Sequence, residues 1–280
     1  MEYNFSLFWG LAIQKYEALL VSDNSLLDRV LAGVPGATLT PAQQLGLNVF
    51  TGKGNCIKCH SGAELTSASV SNVGGIITAA ETVRNTTGIP SSTMHFKGFF
   101  NIGVRPDGED AGRVTTAGVS AANQNNTFKV PGLRTAEWTG PYFHNGDSAT
   151  LDQVVEFYDR GGNFDNPGVD VNIAFAGLGL TAAEDDALVE FLLTLSDDRV
   201  RFERGPFDHP QLCVPNGSPG NQSQLNGINP VTGTGRDTMV ELPAVGAAGT
   251  TLRLQTFAEL LKGQKTGKAH TMDQPCTITF

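Results

Sequence analysis

The sequence predicts an all-α fold with long ordered loops and an irregular C-terminal extension. Two patterns and one composition carry that expectation. Apolar residues recur at helical spacing in four separate segments. Three of those segments open on a Thr-x-x-Gln or Thr-x-x-Glu capping signal. The 280 residues also include 33 Gly and 14 Pro, so much of the remaining length must be turn and loop.

Taken in order, Phe5, Phe8, Trp9, Ala12, Tyr16, Leu19 and Leu20 trace one face of a first helix, which Ser22-Asp23-Asn24 ends. Thr40-Pro41-Ala42-Gln43 opens a second helix with an N-cap, Pro at the first position and a capping-box Gln. Its apolar face is Ala42, Leu45, Gly46, Val49 and Phe50. From Ser61 to Trp138 the period is lost among Gly, Asn, Thr and Ser, which reads as ordered loop. Thr150 and Gln153 cap a helix with Leu151, Val154, Val155 and Tyr158 on one face, and Gly161-Gly162 stops it. Thr181 and Glu184 cap the last strong helix, with Leu188, Phe191, Leu192 and Leu195 inward. Beyond Pro210 the composition turns to Gly, Asn, Pro and Ser, with one short helical pattern at Leu254, Phe257, Leu260 and Leu261. The chain thus divides into an N-terminal helical segment (1–35), a principal domain (36–210) and a loop-rich extension (211–280).

The formal net charge of −9 and pI near 5.0 argue against nucleic acid, whose phosphates require a basic surface. An acidic surface suits a basic protein partner, though many solvated enzymes are equally acidic. No apolar run approaches the ~20 residues of a membrane span, and Met1-Glu2-Tyr3-Asn4-Phe5 lacks the positive start of a signal peptide.

The second helix delivers the chain into Cys56-Ile57-Lys58-Cys59-His60. This C-x-x-C-H spacing is the attachment motif of c-type haem: two thioether bonds fix the porphyrin, and the adjacent His offers a ring nitrogen to the iron. Zinc would need a second Cys or His pair at ligand spacing, and a thioredoxin-type site a βαβ setting. Neither is present in the sequence. The expected fold is therefore a cytochrome c-like haem domain with one covalent haem c. Such attachment takes place outside the cytoplasmic membrane, so a periplasmic or extracellular setting is expected, with the export signal not in this chain. Two cysteines remain, Cys213 and Cys276. In an exported protein they are expected to pair, the alternative being two unrelated buried thiols.

Several motifs in order extend the reading. Asn48-Val49-Phe50 leading to Cys56–Gly62, Phe100-Asn101-Ile102-Gly103-Val104-Arg105-Pro106 with Glu109-Asp110, and Phe128-Lys129-Val130-Pro131-Gly132-Leu133-Arg134 come first. Thr139-Gly140-Pro141-Tyr142-Phe143-His144-Asn145-Gly146, and the segment from Leu180 to Arg199, follow. Together, over roughly residues 1 to 210, they resemble the second, electron-transfer haem domain of bacterial di-haem cytochrome c peroxidases and the related MauG enzymes. Those enzymes react with peroxide at a first haem, in a domain with its own C-x-x-C-H; this sequence has one such motif.

The resemblance implies a site. The helix that supplies a Met to the iron in the peroxidases here offers Tyr158, as a Tyr does in MauG, and Tyr158 shares the apolar face of its helix. The alternatives are an ordinary core tyrosine, ligation by Met94 or His95, or an open sixth position. His144 is expected at the haem edge and Arg134 at a propionate, the alternative for Arg134 being an ion pair. Thr139 and Pro141 match a calcium site between the peroxidase haem domains, much of whose shell comes from the other domain and water. The implied function is a haem electron-transfer domain of a di-haem peroxidase system. Its partner would be a redox protein or a second haem domain, and hydrogen peroxide would take part indirectly. A stand-alone mono-haem peroxidase with an open iron, and a carrier cytochrome without catalytic partner, remain alternatives.

Overall fold

A computed structural model describes residues 4–69, 80–84, 90–94, 98–106, 108–112, 126–165, 169, 177–215, 239–262 and 268–270. In chain order the elements are α1 (Phe5–Glu17), α2 (Leu26–Leu31), α3 (Pro41–Thr51), β1 (Ala80–Arg84), β2 (Pro90–Met94), β3 (Phe99–Phe100) and β4 (Phe128–Lys129). There follow α4 (Leu151–Asp159), α5 (Ala182–Leu193), α6 (Asp198–Arg201), β5 (Leu212–Pro215), β6 (Met239–Leu242), α7 (Phe257–Leu261) and β7 (Lys268–His270). The fold is mostly helical but not purely so. β1 pairs antiparallel with β2, β3 with β4, and β6 lies between β5 and β7 in a three-stranded antiparallel sheet. Strands of two to five residues leave too little alternation for a sequence pattern to reveal.

The chain forms two compact units. One is Ser22–Asp197 with Thr256–Ala258; the other is Met1–Val21 with Asp198–Gln255 and Glu259–Phe280. The first contains the haem motif. Its core gathers Leu27, Val49, Phe50, Ala136, Leu151, Val155, Leu188, Phe191, Leu192 and Leu195, with Cys56 packed at the edge. All three Thr capping boxes form: Thr40 with Gln43, Thr150 with Gln153, Thr181 with Glu184. A fourth, Ser25 with Asp28, opens α2.

Helices α3 and α5 make the closest crossing in the core. Phe50 and Phe191 meet at 5.1 Å between ring centroids. At Gly46 the backbones approach so nearly that a Cβ would stand 1.9 Å from the Ala187 carbonyl oxygen. Only glycine allows that contact. The end of α4 is tied to the entry of α5, because the Asp159 carbonyl accepts from Leu178 N and its carboxylate from Leu180 N at 2.7 Å.

The second unit holds α1, α6 and the β5–β6–β7 sheet. The apolar face of α1 is not covered: no residue of that helix is buried. No helix among the described residues is long and apolar enough to cross a membrane.

Candidate haem site

The site starts where α3 ends. Gly54 N donates to the Val49 carbonyl at 2.8 Å, and Asn55 takes a left-handed φ of 54° that turns the chain into a 3-10 turn at Cys56–Lys58. His60 N donates to the Cys56 carbonyl at 2.8 Å and Ser67 N to the Cys59 carbonyl at 2.7 Å, so the motif and the following loop brace each other. Cys56 and Cys59 are thiols here, standing for the thioether sulfurs of an attached haem. Burial pushes the Cys56 thiol up to about 11, and its S–H reaches the Gly54 carbonyl at 3.4 Å.

The His60 imidazole is pulled below its ordinary range by burial, only partly offset by the carbonyls of Leu65 and Pro131. The neutral ring donates Nδ1–H to the Leu65 carbonyl at 3.1 Å, which fixes the tautomer and leaves the Nε2 lone pair available. That carbonyl has its own anchor in the next residue: the Thr66 hydroxyl donates to the Val130 carbonyl at 2.6 Å, on the chain leaving β4.

Tyr158, from α4, completes the group. Its ring meets Phe157 edge-on at 5.2 Å and Phe143 at 6.3 Å, and Phe143 packs on Phe157 at 4.5 Å. Burial pushes the phenol well above the tyrosine range, and the charges of Cys59 and then Cys56 push it further. The turn fits a c-type haem: it carries two sulfurs and an imidazole with its far nitrogen tied off.

No family model matches the chain. The cytochrome-c peroxidase IdrP2 of Denitromonas iodatirespirans is 35% identical to it over 190 residues, covering 66% of this chain and 48% of the relative. The methylamine utilization protein MauG of Paracoccus denitrificans is 30% identical over 202 residues, covering 63% and 47%. This chain is homologous to the cytochrome-c peroxidases and MauG. It spans about half the length of the curated relatives it matches. Among solved structures, a MauG-like protein associated with microbial copper homeostasis is 26% identical, with a TM-score of 0.48, covering 66% of this chain and 55% of that one.

The other residues singled out in the sequence of this peroxidase homologue have these places and partners. Arg134 grips Asp28 with both arms, at 2.8 and 2.9 Å, and donates to the carbonyls of Ser22 at 2.8 Å and Ala63 at 2.6 Å. The guanidinium donates to protein acceptors, among them the ion pair that stood as the alternative to a propionate contact. Asp28, cued by the Ser-x-x-Asp capping pattern, was the partner the sequence could have offered. His144 hydrogen-bonds Asp110 through Nε2 and stacks on Phe128 at 3.6 Å, beside a small cavity also lined by Ile102, Val104, Arg105 and Asn126. The cysteine motif does not line that cavity. The Thr139 hydroxyl donates to the Ala136 carbonyl at 3.2 Å, and the Gly140–Pro141 peptide is cis. Met94 lies in β2, opposite Ala80. His95 lies outside the described residues. Cys213, in β5, is disulfide-bonded; Cys276, its expected partner, also lies outside them. Phe143 and Phe157, which hold Tyr158 in place, were not singled out by periodicity because Phe157 falls one position off the Leu151–Val155 row.

Proposed function

We propose that this chain is a one-haem electron-transfer module of a cytochrome-c peroxidase or MauG type system. Haem would be attached through Cys56 and Cys59, and His60 and Tyr158 would bind its iron. The observation that carries the reading is the turn at Cys56–His60 itself, which sets two sulfurs beside an imidazole whose Nδ1 is already tied to the Leu65 carbonyl. A bound haem would supply one-electron exchange.

The chain's own residues do the rest. Leu65 orients His60 and, by accepting the Nδ1 proton, makes Nε2 a better donor. Phe143 and Phe157 pack on the Tyr158 ring and set its orientation. With both residues bound to iron, peroxide chemistry would belong to a second haem domain or partner. A setting outside the cytoplasmic membrane follows from covalent haem attachment.

Optical and electron paramagnetic resonance spectra of the haem-loaded protein, with its reduction potential, test the reading. Tyr158→Phe keeps the ring and removes the oxygen. The ferric spectra should change, and the potential should rise by on the order of 100 mV, because a hard oxygen ligand favours oxidised iron. Identical spectra for parent and variant would show that Tyr158 is a core residue only.

A further inference from the structure

Helix α1 is built as though part of the protein around it were missing. Phe5, Leu7, Phe8, Trp9, Leu11 and Tyr16 are each between 44% and 65% exposed, and no residue of the helix is buried. Phe5 and Trp9 stack on each other at 5.9 Å, covering one another in place of a core. At 3.6 residues per turn the apolar arc runs from Leu7 round through Phe8 and Phe5 to Ile13, roughly 240° of the circumference. Lys15 alone interrupts it; Ser6, Gly10, Gln14 and Glu17 fill the remaining arc. A run of large apolar side chains exposed on one short segment marks a contact surface.

The width of the arc decides what kind of contact. A helix lying on a membrane surface has a narrow apolar face and a strongly charged, cationic one, whereas α1 carries one Lys and one Glu. Its 13 residues fall short of the ~20 needed to cross a bilayer. Side-by-side pairing with a second copy of α1 would cover a stripe of about 100° and leave most of the arc wet. Only a groove walled on several sides, inside another folded domain, buries it. The relatives contain such material, since this chain matches 48% of the Denitromonas iodatirespirans peroxidase and as much polypeptide again lies outside the match.

We infer that α1 is a docking helix, seated in an apolar groove of a domain corresponding to the part of the cytochrome-c peroxidases that this chain does not match. The inference rests on the electron-transfer reading above, for which it names the surface that holds the partner.

Replacing Trp9 by the photo-crosslinker p-benzoylphenylalanine in the full-length protein, expressed in its native host, tests it. Irradiation should give an adduct whose peptides align with the unmatched part of the Denitromonas iodatirespirans peroxidase, on whichever polypeptide carries it. Adding Phe5→Glu should lower the adduct yield at least tenfold while the haem spectrum stays unchanged. An adduct with a second copy of this chain, with lipid only, with an unrelated polypeptide, or none at all, overturns the proposal. The Tyr158→Phe spectra are read independently, so the docking and the ligation can fail separately.

Discussion

Replacing Arg134 by Met keeps the aliphatic stem and deletes four hydrogen bonds at once, two of them to Asp28. Burial alone would raise the Asp28 pKa. The hydrogen bonds from Arg134 and Ser25 outweigh it and bring the carboxyl from 3.8 down to about 2. At 1.36 kcal/mol per pKa unit that fall is worth roughly 2.4 kcal/mol. The two side chains are 25% and 22% exposed, so solvent screening reduces the usable part to about 1–2 kcal/mol. A depressed carboxylate pKa stabilises the fold fully above the unfolded value and loses that contribution as pH falls towards the folded one. Thermal unfolding of the haem-loaded protein should therefore show the variant less stable by about 1–2 kcal/mol at pH 7, with the gap narrowing between about pH 4 and pH 2. A gap independent of pH would refute the assignment to Asp28. Unchanged stability with a shifted haem spectrum or potential would return Arg134 to the cofactor.

Further expectations concern packing and covalent chemistry. Gly46→Ala forces a Cβ into the Ala187 carbonyl and should cost about 1–3 kcal/mol in denaturant unfolding; a neutral result would mean that α3 and α5 are not in contact. Haem staining should stay on the 29.6 kDa band after denaturing electrophoresis and disappear in a Cys56→Ser, Cys59→Ser double variant. Haem lost from the parent in acid-acetone would remove the basis for a c-type site. Unreduced peptide mapping should join Cys213 to Cys276, a closure worth about 4 kcal/mol in the chain-entropy model; alkylation of both as free thiols would exclude it.

The sequence made legible what depends on neighbours along the chain. Thr40, Thr150 and Thr181 each announced a helix start, because a cap needs only the residue three positions on. Cys56, Cys59 and His60 announced themselves by spacing. Tyr158 was marked by its place on α4, although its packing against Phe143 is a tertiary fact. Arg134 was harder. Its partner is 106 positions away, and an arginine reads alike whether it will meet a carboxylate of the protein or of a cofactor. The α1 face was legible as apolar, but periodicity reports that a surface wants cover without saying whose. The two-residue pairing of β3 with β4 carries no periodic signal at all.

The Asp159 link at the end of α4 has a consequence for electron exchange. Tyr158 is followed directly by a residue pinned through carbonyl and carboxylate to the strand of chain that enters α5. Helix α5 in turn lies without clearance on α3, the helix that presents the cysteines. The two proposed ligands are therefore carried on helices linked in series, α4 to α5 and α5 to α3. Such a frame keeps nuclear rearrangement small when charge on the metal changes, the condition for fast transfer at modest driving force. It also makes α5, which donates no ligand, the part through which a distant substitution would slow the centre.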